Sequence, residues 1–327
     1  MGSLPAGRQE VPLARRINVK KYTMFNTLLY YKIVNIKNPE KEVEMHKEIC
    51  VALNIKGRIL IGDYGINGNI GGTKESIELY KAYMNQHKLY KNIDFKERTS
   101  EILPFPKLRV RHRDEIITTE IKDHIDWTKR GKHVDPDTFH KWLLRGEDMV
   151  LIDMRNDYEY DIGRFKGAVR PPVSYFRDLK DVMGFYDQFK GKKIVMYCTG
   201  GIRCEPASAL FVASGFERGQ VYQLEGGIEK YAQKYGNEGF FEGKNFTFDD
   251  RMALRINHTD TEEIVGKCAL CGVTCDTYRN CINKECNKLF IGCDACVIRL
   301  VNACSEECKK IVENDDSMKR PPSGNKK

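Results

Sequence analysis

Twelve cysteines in 327 residues hold most of the chemistry this sequence could perform, and they divide into unlike groups. In YCTGGIRCEP (197–206), Cys198 opens a short loop that ends at Arg203, with Thr199, Gly200, Gly201 and Ile202 between them. Two consecutive glycines let backbone N–H groups turn towards one point and form an anion nest. Arg203 adds a permanent charge, and Pro206 suits the first turn of a helix whose positive dipole end would face the loop. Together these features favour a thiolate and are expected to lower the pKa of Cys198. The plainer reading, an inert buried cysteine beside a tight turn, leaves the electropositive loop without a purpose. Cys204 either resolves an oxidised Cys198 or simply packs the start of the helix as a small buried residue.

Nine cysteines crowd between Cys268 and Cys308. Cys268 and Cys271, Cys281 and Cys286, Cys293 and Cys296, and Cys304 and Cys308 form four close pairs, leaving Cys275 over. Separations of two to four residues let two thiolates reach one tetrahedral ion, so the eight ligands suffice for two structural zinc ions. The odd count and the lack of an apolar leader run make a disulfide framework the weaker alternative. Spacing leaves the pairing open, sequential or interleaved.

A third feature is charge at period two. In KLRVRHR (107–113), Lys107, Arg109, Arg111 and Arg113 alternate with Leu108, Val110 and His112. A β-strand places all four cations on one face. That face is expected to meet a nucleic acid, the alternative being a solvated sheet edge.

The elements that must hold these residues follow from periodicity. Residues 22–34 read as a strand, Asn38-Pro39 starts a helix, 58–65 is a second strand, and Asn67-Gly68 is a hairpin turn signal. Thr73 caps a second helix and 93–98 is a further strand, a βαββαβ order typical of a ferredoxin-like α+β fold. The RNP1 aromatics of RNA-recognition modules are missing, so base stacking on this sheet is not expected. GDYGINGNIGG (62–72) lacks Gly-Lys-Ser/Thr and reads as turn chemistry, not a phosphate loop. Further on, Asp135-Pro136 starts a helix, a helical stretch runs to about 190, and 205–215 is a helix. The strands 149–155, 193–198 and 221–227 lack polar alternation, which indicates a parallel α/β sheet covered on both faces. The expected organisation is a flexible tail at 1–19, a ferredoxin-like RNA-binding domain at 20–120, a parallel α/β domain at 131–244, a cysteine-rich module at 245–312 and a disordered tail at 313–327.

Composition sets outer limits. An apolar share of 41% supports ordinary cores, and no run approaches the roughly 18 residues that span a bilayer. The net charge of +8, from 54 basic and 46 acidic residues, is compatible with a soluble cytoplasmic protein.

IDMRNDYEYDIGRFKGAV, YCTGGIRCEPASA and VYQLEGGI together resemble a rhodanese domain, whose catalytic cysteine carries a persulfide. The loop from Cys198 to Arg203 is one residue shorter than the Cys-x5-Arg loop of related phosphatases, and the smaller cradle suits sulfur better than phosphate. Asp153 and Arg155 match the rhodanese Asp-x-Arg element and either brace the active-site wall or contact substrate. GINGNIGG, KLRVRHRDEIIT, CTGGIRCE and the cysteine-rich tail, in that order, resemble the bacterial tRNA uridine hydroxylase family. Tyr64 and Arg164 depart from the Glu and His usual there. The resemblance implies oxygen-dependent conversion of the wobble uridine of tRNA to 5-hydroxyuridine, with molecular oxygen as co-substrate and the anticodon arm as partner.

No flavin, haem or nucleotide cofactor site is evident: no Gly-x-Gly-x-x-Gly opens a helix, and His258-x-Asp260 lacks the second histidine of an iron triad. Two roles for Cys198 stay open, addition of its thiolate to C6 of uridine and service as a persulfide or redox group. A plain sulfurtransferase is the alternative activity, and a zinc-dependent interaction protein a third reading.

Overall fold

The computed structural model describes residues 24–121, 124–258 and 263–321. The expected tail at 1–19, Tyr22 at the start of the first strand, and Asp260 all lie outside them.

The first segment runs β1 (Phe25–Ile33), α1 (Pro39–Ala52), β2 (Lys56–Gly62), β3 (Gly65–Thr73), α2 (Lys74–Gln86), β4 (Lys96–Ser100) and β5 (Leu108–His112). Asn38 accepts from the Lys41 N–H ahead of Pro39, and Thr73 accepts from that of Ser76, so both helices start where cap chemistry placed them. The sheet order β4-β1-β3-β2 is ferredoxin-like, and β5 joins the edge parallel to β2. Leu28, Tyr30, Ile59, Ile61, Ile66 and Ile70 form the buried face under the two helices. The alternate residues of the same strands therefore point the other way.

The hairpin turn differs from expectation. Gly62 pairs with Gly65, so Asp63 and Tyr64 make the turn, while Asn67 and Gly68 sit inside β3. Gly68 is glycine for another reason: a Cβ there would lie 2.2 Å from the Tyr30 ring. Asn67 spends its amide on the Ile116 carbonyl, at 2.9 Å.

The second segment contains β6 (Lys132–Val134), α3 (Pro136–Leu144), β7 (Val150–Asp153), α4 (Asp157–Ile162), β8 (Gly163–Phe165), α5 (Met183–Tyr186), β9 (Ile194–Tyr197), α6 (Cys204–Ala213), β10 (Val221–Leu224) and α7 (Gly227–Tyr235). Strands β6-β10-β9-β7 form a wholly parallel sheet. Ile194, Met196 and Cys198 enter the core on one face, and Val195 and Tyr197 the core on the other. The helical stretch expected up to 190 is broken into two 3-10 turns flanking the single turn of α5.

Next come β11 (Phe241–Phe246), β12 (Ala253–Arg255), β13 (Tyr278–Asn280), β14 (Leu289–Ile291), α8 (Asp294–Arg299) and α9 (Glu306–Asn314). Strand β11 pairs with β8, so the boundary expected at 245 falls inside a strand. The tail expected to be disordered from 313 is structured up to 321: α9 reaches Asn314, and the Arg320 N–H donates to the Ile282 carbonyl at 2.7 Å. Backbone pairing with the cysteine-rich module holds it, a tertiary effect that local composition does not report.

Candidate active site and metal centres

Cys198 follows the last residue of β9 and is 0% exposed. The Gly201 N–H donates to its Sγ at 3.1 Å, and the turn needs Gly201 at φ +100°. Burial alone would push the thiol pKa up. The Cys204 thiol, the Arg203 charge and the backbone N–H groups of Arg203 and Gly201 outweigh it and hold Cys198 at about 6. Cys204 is driven the opposite way, raised by burial and by its neighbour, so it stays a thiol and donates. The start of α7 locks the loop from behind: the Ile228 and Glu229 N–H groups donate to the Cys198 and Thr199 carbonyls, each at 3.0 Å. A Cβ on Gly227 would sit 2.3 Å from that Cys198 carbonyl.

Arg203 does not point its fork at the sulfur. It is 4% exposed and grips Glu159 of α4 bidentately, Nη1 to Oε1 at 2.6 Å and Nη2 to Oε2 at 2.8 Å. Glu159 is fully buried and also accepts from the Asn156 N–H. Sequence reading missed this carboxylate, although Asn156-x-x-Glu159 carries the spacing of a capping box. Asp153 and Arg155 are both fully buried and pair at 2.6 Å. Arg155 also reaches the Gly163 carbonyl at 2.6 Å and Asn245 at 3.4 Å. The pair joins β7, β8 and β11 and stays off the cleft surface, the arrangement of a brace.

A cleft of about 270 Å³ lies over the loop, lined by Cys198, Thr199, Gly200, Ile202 and Arg203. Its other wall is the helix-free face of the first sheet: Thr27, Leu29 and Tyr31 of β1, Arg58 of β2, Asn67 and Asn69 of β3, and Lys96 and Arg98 of β4. The contact is close, for a Cβ on Gly200 would lie 2.8 Å from Leu29. Tyr31 Oη donates to Glu205 at 3.0 Å, and Arg98 pairs with Glu229. Glu205 also receives Arg130 at 2.7 Å and faces His133 at 3.1 Å. Two half-exposed aromatics, Tyr175 and Phe248, stand at the cleft. Asn67 reads from sequence as a turn residue, and none of the other sheet residues was singled out; strand alternation in β1 and β4 gives two faces but not which one meets the loop.

Lys107, Arg109, Arg111 and Arg113 are all exposed along the edge strand and its flanks. Arg109 pairs in register with Arg58, so Arg109 and Arg111 continue the cleft-lining face outward. Partial burial, and then Arg109 itself, press the Arg58 pKa below its ordinary value. Tyr64 accepts the Ile116 N–H at 3.0 Å and packs on Trp127, while the Arg164 guanidinium lies 4.9 Å from the Tyr160 ring centre. Neither residue lines the cleft.

The cysteine pairs interleave. Cys268, Cys271, Cys293 and Cys296 form one group, and Cys281, Cys286, Cys304 and Cys308 the other, with sulfurs within 4.8 Å of one another. A Zn–S bond of about 2.3 Å gives tetrahedral S···S edges of about 3.8 Å. The separations are 3.7 Å for Cys271–Cys293, 3.6 Å for Cys286–Cys304 and 3.9 Å for Cys304–Cys308. Both groups can therefore hold a metal ion. Cys275 belongs to neither.

A parallel sheet that ends in a thiolate loop, roofed by a ferredoxin-like sheet and followed by two cysteine clusters, defines a rhodanese-type protein with a composite cleft. Residues 25–116 match the UPF0176 acylphosphatase like domain, 135–234 the rhodanese-like domain, and 242–309 the rhodanase C-terminal domain. A tRNA uridine(34) hydroxylase of Staphylococcus saprophyticus is 42% identical over 89% of this chain and 92% of its own length. One from Bacillus licheniformis is 41% identical over 87% and 88%. The chain belongs to the tRNA uridine(34) hydroxylase family. No helix among the described residues is long and apolar enough to cross a membrane.

Proposed function

We propose that this protein is a cytoplasmic enzyme that converts the wobble uridine of tRNA to 5-hydroxyuridine, with molecular oxygen as co-substrate. The observation that carries the reading is the Cys198 thiolate at the floor of a cleft whose opposite wall is an arginine- and lysine-bearing sheet. A sulfurtransferase needs the loop alone; the cationic wall fits a polyanionic substrate. The ferredoxin-like segment up to residue 120 then serves as the RNA-binding domain, the parallel-sheet segment together with β11 as the catalytic domain, and the cysteine-rich segment as a metal-held module.

Lys107, Arg109, Arg111 and Arg113 bind backbone phosphates of the anticodon arm. Tyr175 and Phe248 offer rings on which single-stranded bases stack. Thr199, Gly200 and Ile202 shape the floor, and Gly201 aims its N–H at the Cys198 sulfur. Arg203, fixed by Glu159, supplies the charge that keeps the thiolate, and the Asp153–Arg155 brace keeps the wall in place. Zinc fits both cysteine groups, where it would tie the module together structurally.

Nucleoside mass spectrometry of tRNA from cells carrying wild-type protein or Cys198→Ser tests the proposal. Loss of 5-hydroxyuridine in the variant supports it. Unchanged 5-hydroxyuridine, with thiosulfate:cyanide turnover that depends on Cys198, would establish a sulfurtransferase instead.

A further inference from the structure

Lysine is almost never fully buried unless paired, yet Lys96 is 4% exposed and lines the cleft that holds Cys198. It stands on β4 opposite Leu29 of β1, the residue that touches the cysteine loop. Two of its interactions are local: Asp94 Oδ2 at 3.3 Å and the Asp94 carbonyl at 3.2 Å. An ammonium group carries three donors, so one remains for whatever occupies the cleft. Asp94 is half exposed and shared with Lys230 at 3.6 Å, which leaves part of the Lys96 charge uncompensated. The Tyr31 ring, 5.1 Å from Nζ and itself held by Glu205, fixes the side chain from below. Burial lowers the Lys96 pKa, while Asp94 and the Cys198 thiolate support its charged form.

We propose that Lys96 is a catalytic residue that donates a hydrogen bond to the O4 carbonyl of the uracil presented to Cys198. The inference rests on the uridine reading above. In uracil the C4=O4 bond is conjugated with C5=C6, so an electron pair entering at C6 emerges at O4. When Cys198 attacks, its sulfur lone pair forms the S–C6 bond. The C5=C6 π pair moves into C4–C5, and the C4=O4 π pair becomes a lone pair on O4. The Lys96 N–H···O4 bond strengthens as that charge develops, in a cleft where a fixed cation counts for more than in water. The step is redox-neutral and reversible, and it leaves C5 electron-rich for the oxidation that follows.

The test measures binding of the full-length chain to an anticodon stem-loop RNA carrying, at the target position, either uridine or 2-pyrimidinone riboside, which lacks O4. Wild type is expected to prefer the uridine RNA by roughly 10- to 100-fold, the size of a charge-assisted hydrogen bond. Lys96→Met should bind the two RNAs alike. Lys96→Gln, which keeps an N–H but no charge, should retain part of the preference and serves if Lys96→Met does not fold. With 5-fluorouridine RNA, the covalent adduct should form at least about 100-fold more slowly in Lys96→Met, in line with loss of a preorganised donor. Full O4 discrimination, or an unchanged adduct rate, in folded variants would overturn the role of Lys96. A wild-type protein that neither discriminates nor forms an adduct would overturn the uridine reading itself.

Discussion

Changing Cys204 to alanine should move the titration of a sulfur it does not own. Cys198 is held at about 6 although burial opposes ionisation, and the Cys204 thiol leads the groups that offset that cost. A hydrogen bond to a charged group contributes about 1.5–3 kcal/mol, equivalent to roughly 1–2 pH units at 1.36 kcal/mol per unit. In Cys204→Ala the midpoint should therefore rise from about 6 to about 7–8, with Arg203 and the Gly201 N–H still in place. The assay is the rate of iodoacetamide alkylation of the Cys198 peptide against pH, read by mass spectrometry. The cleft gives the reagent its route. A midpoint that stays near 6 in the folded variant would show that Cys204 only packs the helix start. The same depressed pKa has a stability counterpart. The thiolate stabilises the folded chain fully above the unfolded value near 9, and that contribution disappears as pH falls through about 6. Its full size is about 4 kcal/mol, so the stability of wild type relative to Cys198→Ser should increase as pH rises from about 6 to about 9.

Glu159→Gln leaves the buried Arg203 charge without its counter-ion and should cost about 3–5 kcal/mol, seen as a lower denaturation midpoint. Arg109→Ala and Arg111→Ala should weaken tRNA binding without regard to sequence, each lowering the slope of log K against log salt by roughly 1. Metal analysis of freshly reduced protein should find about two zinc ions per chain, and Cys271→Ser or Cys286→Ser should each lose one. A metal-free folded protein would remove zinc from the proposal.

Much of the fold was legible because its signals are local. Asn38-Pro39, Thr73 and Asp135-Pro136 place helix starts by cap chemistry, and the apolar runs at 149–152 and 194–198 are what a doubly covered parallel sheet needs. The cysteine loop was legible because nest, helix start and charge lie within ten residues. What escaped is long-range. The partner of Arg203 lies 44 residues upstream, and Tyr31 meets Glu205 across 174. Nothing in either local pattern marks the match. The hairpin was misplaced because Asn-Gly is a turn signal only when both residues are free to turn; at Gly68 the Tyr30 ring claims the space that a side chain would fill. The cysteine pairing had no local answer either, since both arrangements satisfy the same spacings.

The interleaving imposes an order of events on the newly made chain. The first metal group cannot close before Cys296 has been synthesised, and by then Cys281 and Cys286 of the second group are already present. During that interval seven thiols, Cys275 among them, compete for four positions, and only the arrival of Cys304 and Cys308 gives the second group its own quartet. A ribosome that stalls between 286 and 304 would therefore release a chain able to trap metal in the wrong set of sulfurs. Correct metallation of this module therefore depends on how soon Cys304 and Cys308 follow Cys296 during synthesis.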